Sequence, residues 1–224
     1  MKDKIKIILL ATTLVIGLIC LIFNINSNDN KKFKFEYEIL NNKDNGYGNK
    51  HLEINIKENN KIKYASYEEI KKILTEGSGV IYFGFPECPW CRNIINPLLN
   101  ASEETEVKNI YYFNAVDIRD KKHLDENNTI ITDNEGTKEY KELVEILYDN
   151  LEEYEGLNDP TIKRLYFPTV VFVKDGKIIS THIGTLDDQE NPFEPLNDKQ
   201  KEQLKNIYKS NILKTLDTKC TDKC

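Results

Sequence analysis

The chain has 224 residues, of which 39% are apolar and 30% charged, and its formal net charge is -6. This length suits one domain with additions and is sufficient to bury a hydrophobic core. Because the charges are spread along the chain and no basic stripe is present, the sequence argues against a nucleic-acid-binding protein.

The N-terminus carries an apolar segment that is typical of an export signal or a membrane anchor. Lys2, Lys4 and Lys6 precede an uncharged run at 7–23, and a helix over this run extends roughly 26 Å, the lower limit for crossing the hydrocarbon core. No small-x-small cleavage motif follows, and the lysines are expected to stay inside. We therefore predict that residues 1–27 are the signal-anchor of a single-pass cell-membrane protein with its C-terminal domain outside the cytoplasm, or a secreted protein if the signal is cleaved.

Residues 28–60 are predicted to form a polar tether and a β-hairpin extension. The stretch KFKFEYEIL at 32–40 alternates apolar and charged residues, as does HLEINI at 51–56, and this period of two is typical of strands. The turn-rich stretch NNKDNGYGNK separates the two runs. Together they predict an antiparallel hairpin laid onto the main domain.

The main domain is predicted over residues 61–216. Ser66 and Glu69 form a capping box for a helix that begins at Tyr67. The other predicted elements are a short strand IKYA, a buried strand VIYFGF at 80–85, a helix from residue 88 onward, a strand at 110–118, an antiparallel hairpin around the turn at 174–177 and a last helix.

Residues 119–164 are predicted as a polar insertion with one amphipathic helix. Thr137 is placed to cap this helix, and apolar residues recur at helical spacing from Tyr140 to Tyr154. Such a stripe is typical of a helix that covers the fold.

Four cysteines form two close pairs, Cys88 with Cys91 and Cys220 with Cys224. Outside the cytoplasm such pairs are free to form disulfides. For Cys220 and Cys224, in the tail at 217–224, we expect a small terminal disulfide loop, with a second redox pair as the alternative. For the first pair, redox chemistry competes with a structural disulfide and with a zinc site that would need all four cysteines.

The order of the elements and three motifs resemble the thioredoxin superfamily. The motifs are, in chain order, Cys88-x-x-Cys91 after the strand VIYFGF, Phe167-Pro168-Thr169 at the start of a later strand, and the hairpin VKDGKIISTHIG, which ends in Gly184. The resemblance covers about residues 61–216. It implies an α/β thioredoxin-like fold, with a central mixed sheet flanked by helices and a helical insertion before a cis-proline at Pro168.

The residues around the cysteine motif explain why redox chemistry suits it. Cys88 comes just before a helix, where unpaired backbone N–H groups and the helix dipole favour a thiolate. Pro89 fits the first helical position, where its missing N–H costs nothing. Cys91 lies one turn further on and is placed to resolve a mixed disulfide formed by Cys88. Arg92 and Glu87 add opposite charges beside the site.

The resemblance also implies roles for residues outside the motif. Phe167 and Pro168 would line the groove that binds the substrate polypeptide, with Trp90 as an apolar lip. Thioredoxins have a buried Asp six residues before the first cysteine, and this chain has Tyr82 there. The proton acceptor for the second cysteine is therefore expected to be Glu87 or a water.

These observations predict a thiol–disulfide oxidoreductase that acts outside the cytoplasm of a bacterium on protein or peptide thiols and disulfides. No metal and no organic cofactor are expected, because the electrons move between sulfur atoms. A membrane or extracytoplasmic electron partner is implied. The apolar anchor, the motif ECPWCRN and the small insertion also resemble the thioredoxin-like accessory proteins of bacteriocin export. The alternative hypothesis is therefore a non-catalytic accessory module for peptide export.

Overall fold

The computed structural model describes residues 28–46 and 48–216, which form an α/β fold with a mixed five-stranded sheet flanked by helices. The predicted anchor at 7–23 lies outside these residues. Among the described residues, no helix has both the length and the apolar character needed to cross a membrane.

The C-terminal tail at 217–224 also lies outside the described residues. Cys220 and Cys224, for which a terminal disulfide loop was predicted, both belong to this tail. The disulfide between Cys220 and Cys224 therefore stays a prediction, as does its alternative as a second redox pair.

The central sheet has the strand order β1-β3-β2-β8-β9. Its strands are β1 (Ile62–Tyr64), β2 (Gly79–Phe83), β3 (Ile110–Phe113), β8 (Thr169–Lys174) and β9 (Lys177–Ile183). Both β1 and β2 run parallel to β3, whereas β8 is antiparallel to β2 and β9 is antiparallel to β8. All five strands were expected from the sequence, although β3 is shorter than predicted.

Helices cover both faces of this sheet. They are α1 (Asp29–Glu38), α2 (Tyr67–Glu76), α3 (Pro89–Glu103), α4 (Lys138–Leu147) and α5 (Asp198–Thr215). The ring of Tyr208 on α5 lies against the ring of Phe172 on β8. Phe172 is paired with Val80 on the neighbouring strand β2, so it lies on the face of the sheet that also carries Tyr82. Helix α3 packs beside α5 on that face. On the other face, Ile73 of α2 lies next to Gly79, and α4 packs against α2.

The predicted N-terminal β-hairpin is wrong, because its first half is helix α1. Asn28 caps this helix by accepting a hydrogen bond from the Lys31 N–H. Phe33 and Tyr37, one helical turn apart, are fully buried. The second half, 51–56, belongs to no strand. The alternating residues suited a strand, but the helix places both aromatic rings against the core.

The insertion contains more structure than the single helix predicted for it. The predicted helix is present as α4 and is capped by Thr137, but it ends at Leu147 rather than near Tyr154. Two small antiparallel sheets also form, one from β4 (Lys121–Leu124) and β5 (Ile130–Asn134), the other from β6 (Glu152–Glu153) and β7 (Lys163–Arg164). These strands are short and mostly exposed, so they carry little hydrophobic periodicity.

Candidate functional site

The two cysteines of the motif lie at the N-terminal end of α3, directly after the buried strand β2. Cys88 is the N-cap, and its sulfur accepts a hydrogen bond from the Cys91 N–H at 3.1 Å. Pro89 occupies the first turn, as predicted. Cys91 is fully buried, whereas Cys88 keeps 4% of its surface exposed. Both are free cysteines, so Cys88 is the one that a second molecule can reach.

Cys220 and Cys224 were named as a possible second disulfide, but both lie outside the described residues. The described part of the site therefore contains the sulfur atoms of Cys88 and Cys91 alone.

The loop before β8 faces Cys88. The Phe167-Pro168 peptide bond is cis, which confirms the prediction for Pro168. The Cys88 thiol donates to the Phe167 carbonyl oxygen, with a sulfur–oxygen distance of 3.6 Å. The Gly184 N–H donates to the Pro168 carbonyl oxygen at 2.9 Å. The hairpin β8–β9 therefore holds this loop against the cysteine motif.

A groove of about 360 Å³ runs along the outer side of this loop. Trp90 and Phe167, both predicted to bind substrate, are among its lining residues, together with Tyr166 and Gly184. Trp90 is half-buried. Cys88 is not among the lining residues of this groove, although its thiol contacts the carbonyl oxygen of Phe167.

Tyr82 is a neighbour of Cys91, a role for which the sequence suggested Glu87 or a water. Burial raises the pKa of the Cys91 thiol well above its ordinary value, and the adjacent Cys88 raises it further. Hydrogen bonds from the Phe85 N–H and, to a smaller extent, from the Tyr82 hydroxyl act in the opposite direction. The Tyr82 hydroxyl lies 2.9 Å from that of Tyr37 on α1. Glu87 is exposed at the surface.

Gly84 makes the position of the Tyr82 ring possible. A Cβ atom at residue 84 would overlap the Tyr82 hydroxyl and ring carbons. Both Tyr82 and Tyr37 are fully buried, and burial is the largest cause that raises the pKa of each. Both phenols therefore stay protonated at neutral pH and act near Cys91 as hydrogen-bond donors.

Arg92 forms several hydrogen bonds that the sequence did not predict. Its guanidinium is 2% exposed and donates to the carbonyl oxygens of Leu52, Tyr37 and Pro86 and to Asn41 Oδ1, over 2.6–3.1 Å. Burial lowers its pKa from the ordinary value. Arg92 thus ties the N-terminal segment to the start of α3, in addition to placing a positive charge there.

Residues that the sequence reasoning missed also surround Cys88. Asp44 and His51 from the N-terminal segment and Phe193 from the loop before α5 line a cavity with Cys88. They lie far from the motif in the sequence and form no pattern with it. No local signal was available to find them.

Among the described residues, no group of three or more His, Cys, Asp or Glu side chains is arranged to hold a metal ion. No protein-family model matches this sequence, and no curated protein shows significant similarity to it.

Proposed function

We propose that this chain is a thiol–disulfide oxidoreductase of thioredoxin-like fold that uses Cys88 and Cys91 as its redox pair. The observation that carries the proposal is the position of Cys88. It caps a helix, accepts an N–H hydrogen bond and faces the carbonyl oxygen of a cis-proline loop. In the central sheet, the parallel strands β1, β2 and β3 come first in the chain and the antiparallel strands β8 and β9 follow. This arrangement supports the same proposal.

The proposed reaction consists of two exchanges between thiolates and disulfides. The Cys88 thiolate attacks one sulfur of a substrate disulfide, which forms a mixed disulfide and releases one substrate thiolate. Cys91 then loses its proton and attacks the Cys88 sulfur, which releases the second substrate thiolate and closes the Cys88–Cys91 disulfide. The substrate gains two electrons and the enzyme loses two. The reverse sequence oxidises a substrate dithiol.

Tyr82 serves the second exchange in this proposal. A buried thiolate at Cys91 lacks water, and a hydrogen bond from a neighbouring hydroxyl stabilises its charge. The Tyr82 hydroxyl is the side-chain group that lowers the pKa of Cys91, together with the Phe85 N–H. In thioredoxins an aspartate occupies the corresponding position, so this chain would use a donor that remains neutral.

The proposed setting is the outer side of a bacterial cell membrane, with residues 7–23 as the anchor. This setting is supported by the sequence, in which three lysines precede the apolar run. An electron partner in the membrane or outside the cytoplasm would regenerate the pair after each cycle. The substrates would be protein or peptide thiols and disulfides.

The test is disulfide reduction and dithiol oxidation by the purified full chain and its Cys88→Ser variant. We expect the variant to lose both activities, and Cys91→Ser to accumulate a mixed disulfide with the substrate. The control for the second cysteine pair replaces both Cys220 and Cys224 by serine. Full activity without Cys88 would refute the proposed role of the Cys88–Cys91 pair, and the absence of both activities in the unmodified chain would favour the non-catalytic export module.

A second measurement assigns the direction of the reaction. The reduction potential of the Cys88–Cys91 pair near about -120 mV would indicate an oxidase, and a value near about -270 mV a reductase.

A further inference from the structure

We propose that the N-terminal segment builds a specificity cavity beside Cys88, which binds a lysine or arginine side chain next to the reacting cysteine of the substrate polypeptide. This inference rests on the proposed function and names the substrate feature that the same site selects.

The cavity has a volume of about 490 Å³, and Cys88 is one of its lining residues. Phe85, Pro89 and Phe193 form apolar parts of its wall. The remaining surface comes largely from the N-terminal segment, including Asp44 and His51. A substrate that reaches Cys88 through this cavity therefore places the atoms next to its sulfur against this segment.

The wall is rigidly built. Arg92 donates twice to the Leu52 carbonyl oxygen, at 2.9 and 2.6 Å, directly after His51 in the sequence. The Asn41 side chain donates to the Ile54 carbonyl oxygen at 2.8 Å and accepts from the Ile54 N–H at 3.1 Å. These side-chain bonds replace the backbone ladder that a strand would have used, so the segment stays fixed beside the motif.

His51 contributes a polar side chain to the wall of the cavity. The residue is only 8% exposed. Burial and the nearby Arg92 lower the pKa of His51, while Glu87 and Asp44 act in the opposite direction. A neutral imidazole has one acceptor nitrogen, which a donor group of the substrate polypeptide can use.

The charges at the rim select a basic side chain. The carboxylates of Asp44 and Glu87 are exposed, and neither forms an ion pair with a described residue. A lysine or arginine places its apolar stem along the aromatic wall and its charged end at these carboxylates. The guanidinium of Arg92 donates to the carbonyl oxygen of the residue after His51. Its positive charge opposes a cation close to His51, so the charged end stays at the carboxylates.

The experiment compares three peptides in which a single cysteine is joined to thionitrobenzoate and the neighbouring residue is arginine, methionine or glutamate. The Cys20→Ser/Cys91→Ser/Cys220→Ser/Cys224→Ser variant of the full chain, which keeps Cys88 as its single cysteine and is purified in detergent, reacts once with each peptide. The Cys88 thiolate forms a disulfide with the peptide sulfur, and the released thionitrobenzoate gives the rate. We expect the arginine peptide to react about five- to tenfold faster than the glutamate peptide at low salt, with the difference lost at high salt.

Removing the two rim charges locates the effect. In Asp44→Asn/Glu87→Gln, the ratio of the arginine to the glutamate rate should fall to near one. The control Glu58→Gln/Glu145→Gln removes the same charge from exposed positions outside the cavity and should keep the ratio. Equal rates for all peptides, or a ratio unchanged by the rim variant, would overturn the cavity inference alone. No reaction with any peptide would overturn the proposed function as well.

Discussion

Replacing Tyr82 by phenylalanine removes one hydroxyl and tests how Cys91 becomes reactive. The hydroxyl lowers the pKa of Cys91, in second place after the Phe85 N–H, and lies 2.9 Å from the Tyr37 hydroxyl. A hydrogen bond to a charged group contributes about 1.5–3 kcal/mol. Losing the hydroxyl should therefore raise the pKa of Cys91. At neutral pH, the thiolate fraction of Cys91 should then fall roughly ten- to hundredfold.

The assay is the decay of a preformed mixed disulfide on Cys88, followed by mass spectrometry as a function of pH. We expect Tyr82→Phe to slow the decay and to shift its pH profile to higher pH, while the formation of the mixed disulfide by Cys88 keeps its rate. The matched control is Tyr37→Phe, which removes a neighbouring buried hydroxyl but leaves Tyr82 in contact with Cys91. Both variants should lose about 1 kcal/mol of unfolding free energy.

A wild-type decay rate in Tyr82→Phe across the whole pH range would refute this reasoning. Tyr82 would then only fill the core, and the charge on Cys91 would be stabilised by another group. Equal slowing in both phenylalanine variants would also contradict it, because only a general loosening of the core affects the two positions alike.

Three further predictions concern the stability of the site. Arg92→Gln should lower the free energy of unfolding by about 3 kcal/mol, because buried carbonyl groups lose their hydrogen-bond donors. The control Lys57→Gln, at an exposed ion pair, should lower it by less than about 1 kcal/mol. Urea unfolding measures both variants. The reduced protein should lose stability as pH rises above about 8.5, because the folded state keeps the Cys91 proton that the unfolded chain releases. That decline should be weaker in Cys91→Ser, and an unchanged pH dependence would exclude Cys91 as its source. Gly84→Ala should cost about 1–3 kcal/mol through overlap with Tyr82, and a neutral effect in thermal unfolding would contradict the close approach.

Much of the site could be predicted because its determinants are local. The capping box of Ser66 and Glu69 and the proline in the first turn of α3 fix helix starts from a few adjacent residues. The cysteine motif follows a strand with a continuous apolar run, so its position at the N-terminus of a helix could be predicted from the sequence. The cis bond at Pro168 was expected from the resemblance and is present.

The partner of Cys91 was harder to predict, although its position was noticed. The sequence placed Tyr82 six residues before Cys88, but it does not tell which way a tyrosine hydroxyl points. The contact depends on Gly84, which leaves room for the ring, and on Tyr37, which comes from a distant helix.

The sequence by itself determined the strands of the central sheet, the helix starts and the position of the cysteine motif, because hydrophobic periodicity and capping act between residues that are close along the chain. Only the tertiary structure decided that residues 29–38 form a helix, since Phe33 and Tyr37 become buried against Tyr82 and Tyr112. It also decided which side chains surround Cys88. Such contacts join segments far apart in the chain, and their free energy arises only when the whole fold brings the segments together.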